Sequence, residues 1–440
     1  MRIKYRWVQV VPAILVVVVG GVFIWWSLNP TVPERELLNG IAEEEPVETL
    51  NTIRIGVMST EWDIHQHRFL GELAREDINI HCNESGIDLR FEFVYTEARF
   101  NCDSGVRLAA WYKEDGVDLV VGPCGNINLH CSLPTYARNH SMVMLSPSVD
   151  SSYWDYAFNP KYPLFRLCPS DTTQVKPLVK AIRSLGITDV IVHLQEGASR
   201  TRLHDIYDSF VEMFEDAGGT IDAKLTFTLN EEGPDQDFSN YLEKLELAVR
   251  RVVEEKGAEH TCILQLSGHI PPLLSQTGPF LGLHEVTWFG IDEMTSSQFI
   301  LEMAGEEAAK LKLLSPYVGH AYNSLFQRLN EAYSGEFNRT LSYYQANLYD
   351  ACWIMALSVI EAGTANATEI EEILPAIASQ YNGATGRCLL DENRTRVASY
   401  DIWGYFEVDG EPRNLRCGFY NATTGEITWD EDVLGLGGNA

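Results

Sequence analysis

Between residues 116 and 148 two short apolar runs flank one helical segment. The first, Val117-Asp118-Leu119-Val120-Val121, stops at Gly122-Pro123, and the second, Met142-Val143-Met144-Leu145, stops at Ser146-Pro147. Residues 129–140 between them read as a helix. Apolar runs this short, separated by a helix, mark parallel strands covered on both faces, and this constrains the fold more than any other stretch. In such sheets ligands sit beyond the carboxyl ends of the strands. The loops 122–126 and 146–150 are therefore neighbours at one sheet edge, and both carry small polar groups and turn formers. Asn and Asp are also turn formers that bond their own backbone. Where the two loops open into helices, the backbone amides at Asn126 and Ser148 favour anions.

With 440 residues the chain has room for two cores. Its formal net charge of −29 supplies no basic stripe to neutralise phosphates, which argues against nucleic acid as a partner. Residues 8–28 carry no charge and are long enough to span a bilayer. Arg2, Lys4 and Arg6 precede them and Glu34, Glu36 and Glu43 follow, so the rule that basic flanks stay inside leaves 1–7 in the cytoplasm. No small-residue cleavage site stands near Trp25-Trp26-Ser27-Leu28, so the expectation is an uncleaved single-pass anchor with the rest of the chain outside the cell membrane. Sequons at Asn83, Asn139, Asn338, Asn366, Asn393 and Asn421 fit that location. Nine cysteines in an oxidising exterior would form up to four bridges.

Residues 29–51 are rich in Pro and Glu and read as a linker. Strands are expected at 52–58, 89–95, 189–194, 224–229, 261–266 and 286–291, and helices at 68–80, 104–114, 173–185, 202–217 and 238–256. This alternation predicts two successive α/β sheets, each with its own strand-end loops. Those loops hold Trp62 in 59–67, Glu196 after the strand ending at 194, His269 in Ser267-Gly268-His269, and Asp292 in Asp292-Glu293. Helices return at 324–333 and 343–362, and another is expected from Thr368 with Glu371 closing a capping box. Residues 383–426 alternate as strands with Gly turns, and a Gly-rich tail closes the chain.

Catalysis needs a nucleophile, a base or a metal in mutual reach. The sequence has no G-x-S-x-G, P-loop, H-E-x-x-H or C-x-x-C pattern, so an enzyme is not expected, and no metal or other cofactor. Asp63, His65 and His67 share one loop without a second ligand cluster, which reads as a solvated loop. Cys82, Cys102, Cys124 and Cys131 invite zinc, but outside the cell disulfides are the stronger reading.

Several ordered motifs resemble the type I periplasmic-binding-protein family, which includes leucine/isoleucine/valine-binding proteins and receptor ligand-binding regions. They are Asp118-Leu119-Val120-Val121-Gly122-Pro123, Met144-Leu145-Ser146-Pro147, Phe165-Arg166 followed by Pro169-Ser170-Asp171, Tyr349-Asp350-Ala351, and Gly383-Ala384-Thr385-Gly386. The resemblance implies two Rossmann-like lobes joined by three hinge strands: 52–166 with 294–385, and 167–293 with 386–430, leaving 431–440 as a flexible tail. It implies a ligand held between the lobes, with Trp62, Asn126, Ser146, Ser148 and Asp150 on one side and Glu196, His269 and Asp292 on the other. Asn126 and Asp150 stand where amino-acid binders of the family carry small hydroxyl residues. The ligand class implied is a small polar molecule, an amino acid or an amide-like compound, and the partner implied is an ABC-type permease. The alternative is a sensor or receptor ectodomain that signals through a partner. Family members bridge a Cys before the second helix to one after Gly-Pro, so Cys102 with Cys124 is expected; Cys388 with Cys417 is expected separately, because antiparallel strands in the C-terminal region can bring them within bridging distance. Cys168, Cys262 and Cys352 are expected free, and a Cys82–Cys131 pairing stays open.

Overall fold

A computed structural model of the chain describes residues 51–129, 133–152, 162–197, 201–229, 236–268, 271–295, 298–319 and 322–435. The expected anchor at 8–28 and most of the linker lie outside these residues. Among the described residues no helix is long and apolar enough to cross a membrane.

The chain begins with β1 (Asn51–Thr60), α1 (Ile64–Glu84), β2 (Leu89–Ala98), α2 (Cys102–Glu114) and β3 (Leu119–Val121). The segment expected as one helix is two short ones, α3 (Asn126–Leu129) and α4 (Leu133–Asn139), followed by β4 (Val143–Ser146) and β5 (Leu164–Arg166). These strands form a parallel sheet in the order β2-β1-β3-β4-β5. Gly122 leaves β3 with φ 128°, and a Cβ there would lie 2.6 Å from the Met58 carbonyl oxygen, so the turn into the strand-end loop requires glycine.

The second set is α5 (Val175–Ser184), β6 (Asp189–Glu196), α6 (Thr201–Asp216), β7 (Thr220–Thr228), α7 (Ser239–Lys256), β8 (Thr261–Leu266), α8 (Pro271–Leu274), β9 (Thr287–Gly290), α9 (Gln298–Lys310) and β10 (Leu314–Val318). Helices α10 (Ser324–Phe337), α11 (Tyr343–Ala362) and α12 (Ala367–Gln380) return to the first sheet. A two-residue hairpin, β11 (Asn382–Gly383) with β12 (Gly386–Arg387), precedes β13 (Tyr400–Val408), β14 (Glu411–Asn421), β15 (Glu426–Trp429) and α13 (Glu431–Gly435). The second sheet runs β15-β14-β13-β10-β9-β8-β6-β7, parallel from β7 to β10 and antiparallel beyond.

Two boundaries need correction. Residues 298–318 were expected in the first lobe, but α9 packs on β13 and β14, and β10 is an interior strand of the second sheet. The expected flexible tail begins with α13, and residues 436–440 lie outside the described ones.

Each sheet is covered on both faces, which is why interior strands such as β3, β4 and β8 are buried along their whole length. In the first lobe α1, α11 and α12 bury Leu70, Ile78, Ile354 and Leu374 on one face, while Tyr112, Leu133 and Met144 close the other. In the second lobe Leu178, Ile206 and Phe210 cover one face, and Leu242, Val249 and Leu311 the other. Burying one such side chain contributes about 1.5–3 kcal/mol. Helix α11 starts with a capping box, Ser342 with Gln345. Helix α12 is capped by Asn366, which accepts from the Thr368 and Glu369 amides, and not by Thr368; Glu371 instead pairs with Arg394 Nη1 at 2.8 Å.

The chain passes between the sheets three times: after β5, after β10, and before β13. The sequence motifs lock these passages to one another. Arg166 donates to Thr395 Oγ1 from Nε at 3.0 Å and from Nη2 at 2.6 Å, joining the first passage to the third. Asp350 on α11 accepts from the Ala384 and Thr385 amides at 2.8 and 2.9 Å, holding the β11–β12 hairpin. Asn347 Nδ2 donates to the Pro147 and Leu167 carbonyls, both at 3.1 Å.

Candidate functional site

The carboxyl ends of both sheets face one cleft of about 630 Å³. Trp62, Asp63, Asn126, Ser148 and Asp150 line it from the first lobe, and Arg202, Asp292, Glu293 and Thr295 from the second. Tyr317 at the end of β10, and Ser342, Tyr344 and Gln345 at the start of α11, line it beside the passages. A volume of this size suits a small organic ligand.

On the first-lobe side two strand-end loops are tied together. Asn126 Nδ2 donates to Asp150 Oδ1 at 2.7 Å, and Asn126 Oδ1 accepts from the Asp150 and Ser151 amides at 3.2 and 3.3 Å. Ser148 Oγ donates to the Cys124 carbonyl at 2.8 Å. Ser146 is fully buried, donates to the Pro123 carbonyl at 2.7 Å, accepts from the Val149 amide, and does not line the cleft. Burial pushes the Asp150 carboxyl up, while Arg202 and the Asn126 hydrogen bond pull it back. His67 was read as part of a solvated loop. It sits instead on α1, 4% exposed, with Nδ1 2.7 Å from Ser59 Oγ. Burial lowers its pKa to about 4, against the opposing pull of Asp63, so the ring is neutral at pH 7. Trp62 stands 65% exposed at the rim, its ring 5.2 Å from that of Phe100.

The second-lobe side is organised by Arg202 in the first turn of α6, a residue that sequence reasoning missed. Its Nε donates to Asp171 Oδ1 at 2.5 Å, Nη1 to Glu293 Oε1 at 2.6 Å, and Nη2 to Asp292 Oδ1 at 2.7 Å. Burial works against the guanidinium charge, but Asp292, Asp171, Glu293 and Asp150 outweigh it and raise the Arg202 pKa. Asp171 is 3% exposed, and burial, with Asp150 adding to it, pushes its carboxyl well up despite the arginine. Asp292 is held further by its own amide, which donates to Gln174 Oε1 at 2.9 Å. The lobes touch where Ser152 Oγ donates to Asp205 Oδ2 at 2.7 Å and the Asp171 amide donates to the Asp150 carbonyl at 2.7 Å.

Of the expected contacts, Trp62, Asn126, Ser148, Asp150 and Asp292 meet in the cleft. Glu196 does not line it and pairs with His204 Nε2 at 2.9 Å. His269 lies outside the described residues. The members not expected as contacts include Arg202, Glu293, Thr295, Tyr317, Tyr344 and Gln345, together with Asp63 and His67. The acidic strand-end loops signalled a need for a counter-ion, but nothing in the sequence singled out Arg202. Among the described residues no group of three or more His, Cys, Asp or Glu could hold a metal.

The expected cysteine pairings are corrected. Cys124, Cys388 and Cys417 are buried free thiols, as are Cys82, Cys168, Cys262 and Cys352. Cys102 is disulfide-bonded, with a partner outside the described residues. Cys124 is a member of the first-lobe core cluster at the edge of the cleft, its thiol free and its carbonyl accepting from Ser148 Oγ.

Comparison with known proteins agrees with this geometry. The model for the receptor family ligand binding region matches residues 72–406. An uncharacterised protein of Methanocaldococcus jannaschii is 22% identical over 388 residues, 83% of this chain and 87% of its own. Among solved structures, a branched chain amino acid ABC transporter periplasmic ligand-binding protein from Burkholderia xenovorans is 15% identical and superposes with a TM-score of 0.66, covering 85% of this chain and 96% of its own. A branched-chain amino acid transporter substrate binding protein from Streptococcus pneumoniae, in complex with isoleucine, is 18% identical with a TM-score of 0.59, covering 86% of this chain and all of its own. At these identities the structural likenesses speak for the fold. On the family match, the chain belongs to the receptor family ligand binding region, the type I periplasmic-binding-protein family.

Proposed function

We propose that this protein is a membrane-anchored solute-binding protein that captures a small polar ligand between its lobes and hands it to an ABC-type permease. The observation that carries the reading is the cleft of about 630 Å³ to which both lobes contribute polar side chains from their strand-end loops. Binding proceeds by closure: groups of both lobes find all their partners only with ligand present, and that differential contact shifts the population to the closed form. The partner is suggested by the similar structures, described as ABC transporter ligand-binding and substrate-binding proteins. The apolar stretch 8–28 is the proposed anchor, which leaves the lobes outside the cell. A receptor ectodomain acting through a partner is the second reading, favoured by the family's receptor members. On neither reading is the protein an enzyme.

The test is a ligand screen followed by variants. Asn126→Ala and Asp292→Ala should each weaken the ligand by roughly 1–3 kcal/mol, the effect of unpairing a buried polar group. Unaltered affinity in both would place the ligand elsewhere. Loss of uptake in a strain without the protein supports transport, whereas a signalling response with uptake intact supports the receptor reading.

A further inference from the structure

The cleft's charge and donor arrangement narrow the ligand class, taking as given that the cleft is the solute site. Its described lining carries four carboxyl groups, Asp63, Asp150, Asp292 and Glu293, against one guanidinium. That single guanidinium is shared: Arg202 donates at once to Asp171, Asp292 and Glu293, so one positive charge is spread over three carboxyl groups and the cluster keeps an acidic excess. A ligand carboxylate would enter beside four carboxyls without an uncommitted cation among the described lining residues.

The neutral donors tell the same story. An anion entering the first-lobe loops would need the Asp150 and Ser151 amides, and Asn126 Oδ1 occupies both. The Ser148 hydroxyl donates inward to the Cys124 carbonyl. Those two loop amides are thus already satisfied within the first lobe.

Hydroxyl groups and aromatic faces line the rest of the cleft. Thr295 is 7% exposed and lines the cleft, yet its Oγ1 has no hydrogen-bond partner. A buried hydroxyl without a partner is costly, and because it both donates and accepts, a polar group of the ligand, an ammonium N–H among them, would satisfy it. Trp62 stands at the rim, and Tyr317 and Tyr344 line the cleft beside the passages. Aromatic faces together with carboxylates attract ammonium groups. The cation is organic, because no described group of carboxylates and imidazoles could hold a metal.

We infer that the cleft binds a small organic ammonium ion that carries no carboxylate, with Asp150 and Glu293 facing its charge from opposite lobes. Isothermal titration of the full chain in detergent micelles tests this with 1,4-diaminobutane and choline as ammonium probes, and L-leucine and L-isoleucine as zwitterions. At least one ammonium probe should bind saturably and at least tenfold more tightly than either amino acid. Asp150→Asn and Glu293→Gln should each weaken it at least tenfold with the melting temperature unchanged. Glu293 is the more exposed of the two, so its variant reads the charge even where Asp150→Asn disturbs folding. Binding of leucine or isoleucine without either ammonium probe would overturn the ammonium assignment and leave the solute-binding reading standing. Ammonium binding indifferent to both variants would overturn the assignment of these carboxylates. Silence with every probe would count against both the ligand class and the solute-binding reading.

Discussion

Replacing Arg202 by Met keeps the packing of its stem and removes its charge. Three carboxylates then lose a partner they do not lose equally. Asp171 is 3% exposed, Asp292 15% and Glu293 32%. Leaving one buried charge uncompensated costs about 3–5 kcal/mol, and this falls on Asp171. The Glu293 leg is partly solvated, so its share is about 0–1 kcal/mol. A loss of about 3–5 kcal/mol at pH 8 is therefore expected in urea unfolding followed by circular dichroism. Its pH dependence follows from Asp171, whose folded carboxyl burial and Asp150 already push up. It already stands well above its unfolded value, and without the arginine, which pulls it down, it rises further. Between the two values the folded form holds a proton that the unfolded chain has released, so stability falls as pH rises through that window. The deficit of the variant should be largest at pH 8 and shrink towards pH 5. Asp171→Asn in the Arg202→Met background should recover about half of it at pH 8, on the order of 2 kcal/mol. A loss below about 1 kcal/mol at pH 8, or one that grows on acidification, would refute the account of Arg202 as the counter-ion of a buried carboxylate.

Two further outcomes are expected. N-ethylmaleimide should leave Cys124, Cys388 and Cys417 unmodified in the native protein and label all three after denaturation without reductant; recovery of any of them in a disulfide-linked peptide would contradict the free thiols found here. His193 is fully buried, with Nδ1 2.6 Å from Tyr241 Oη, and burial lowers its pKa to about 3. The unfolded ring titrates near 6.5, so from there downwards the unfolded chain binds the proton that the folded one refuses, and stability is lost as pH falls. Across pH 6.5 to 4 this amounts to about 3 kcal/mol, so His193→Phe should gain that much on wild type between pH 7 and pH 4. Parallel stability curves for the two proteins would show that the imidazole is not the group responsible.

The two parallel cores were legible because strands covered on both faces are written as short apolar runs, as in 119–121 and 261–266. β10 was not, because Ser315 and Pro316 interrupt its run, and with it went the assignment of 298–318 to the second sheet. The cap of α12 was misplaced by two residues because Asn366 and Thr368 are both cap formers, and only backbone geometry chooses between them. In the site, Asn126, Asp150 and Asp292 were reached through the family resemblance, and all three line the cleft. Arg202 was not, since its three partners come from segments 31, 90 and 91 residues away. Tyr317 was lost with β10. The cysteines show the limit of spacing arguments, because bridging depends on where each Sγ points. Cys124 belongs to the first-lobe core cluster and its thiol is free.

Hydrogen exchange of the full chain in micelles, read by mass spectrometry with and without saturating 1,4-diaminobutane, choline or L-leucine, whichever binds, tests the central claim most directly. A ligand held between the lobes should slow exchange in both of them at once, in 122–126 and 148–151 of the first lobe and in 201–206 and 291–295 of the second. Protection confined to one lobe, or appearing only away from these four segments, would contradict it.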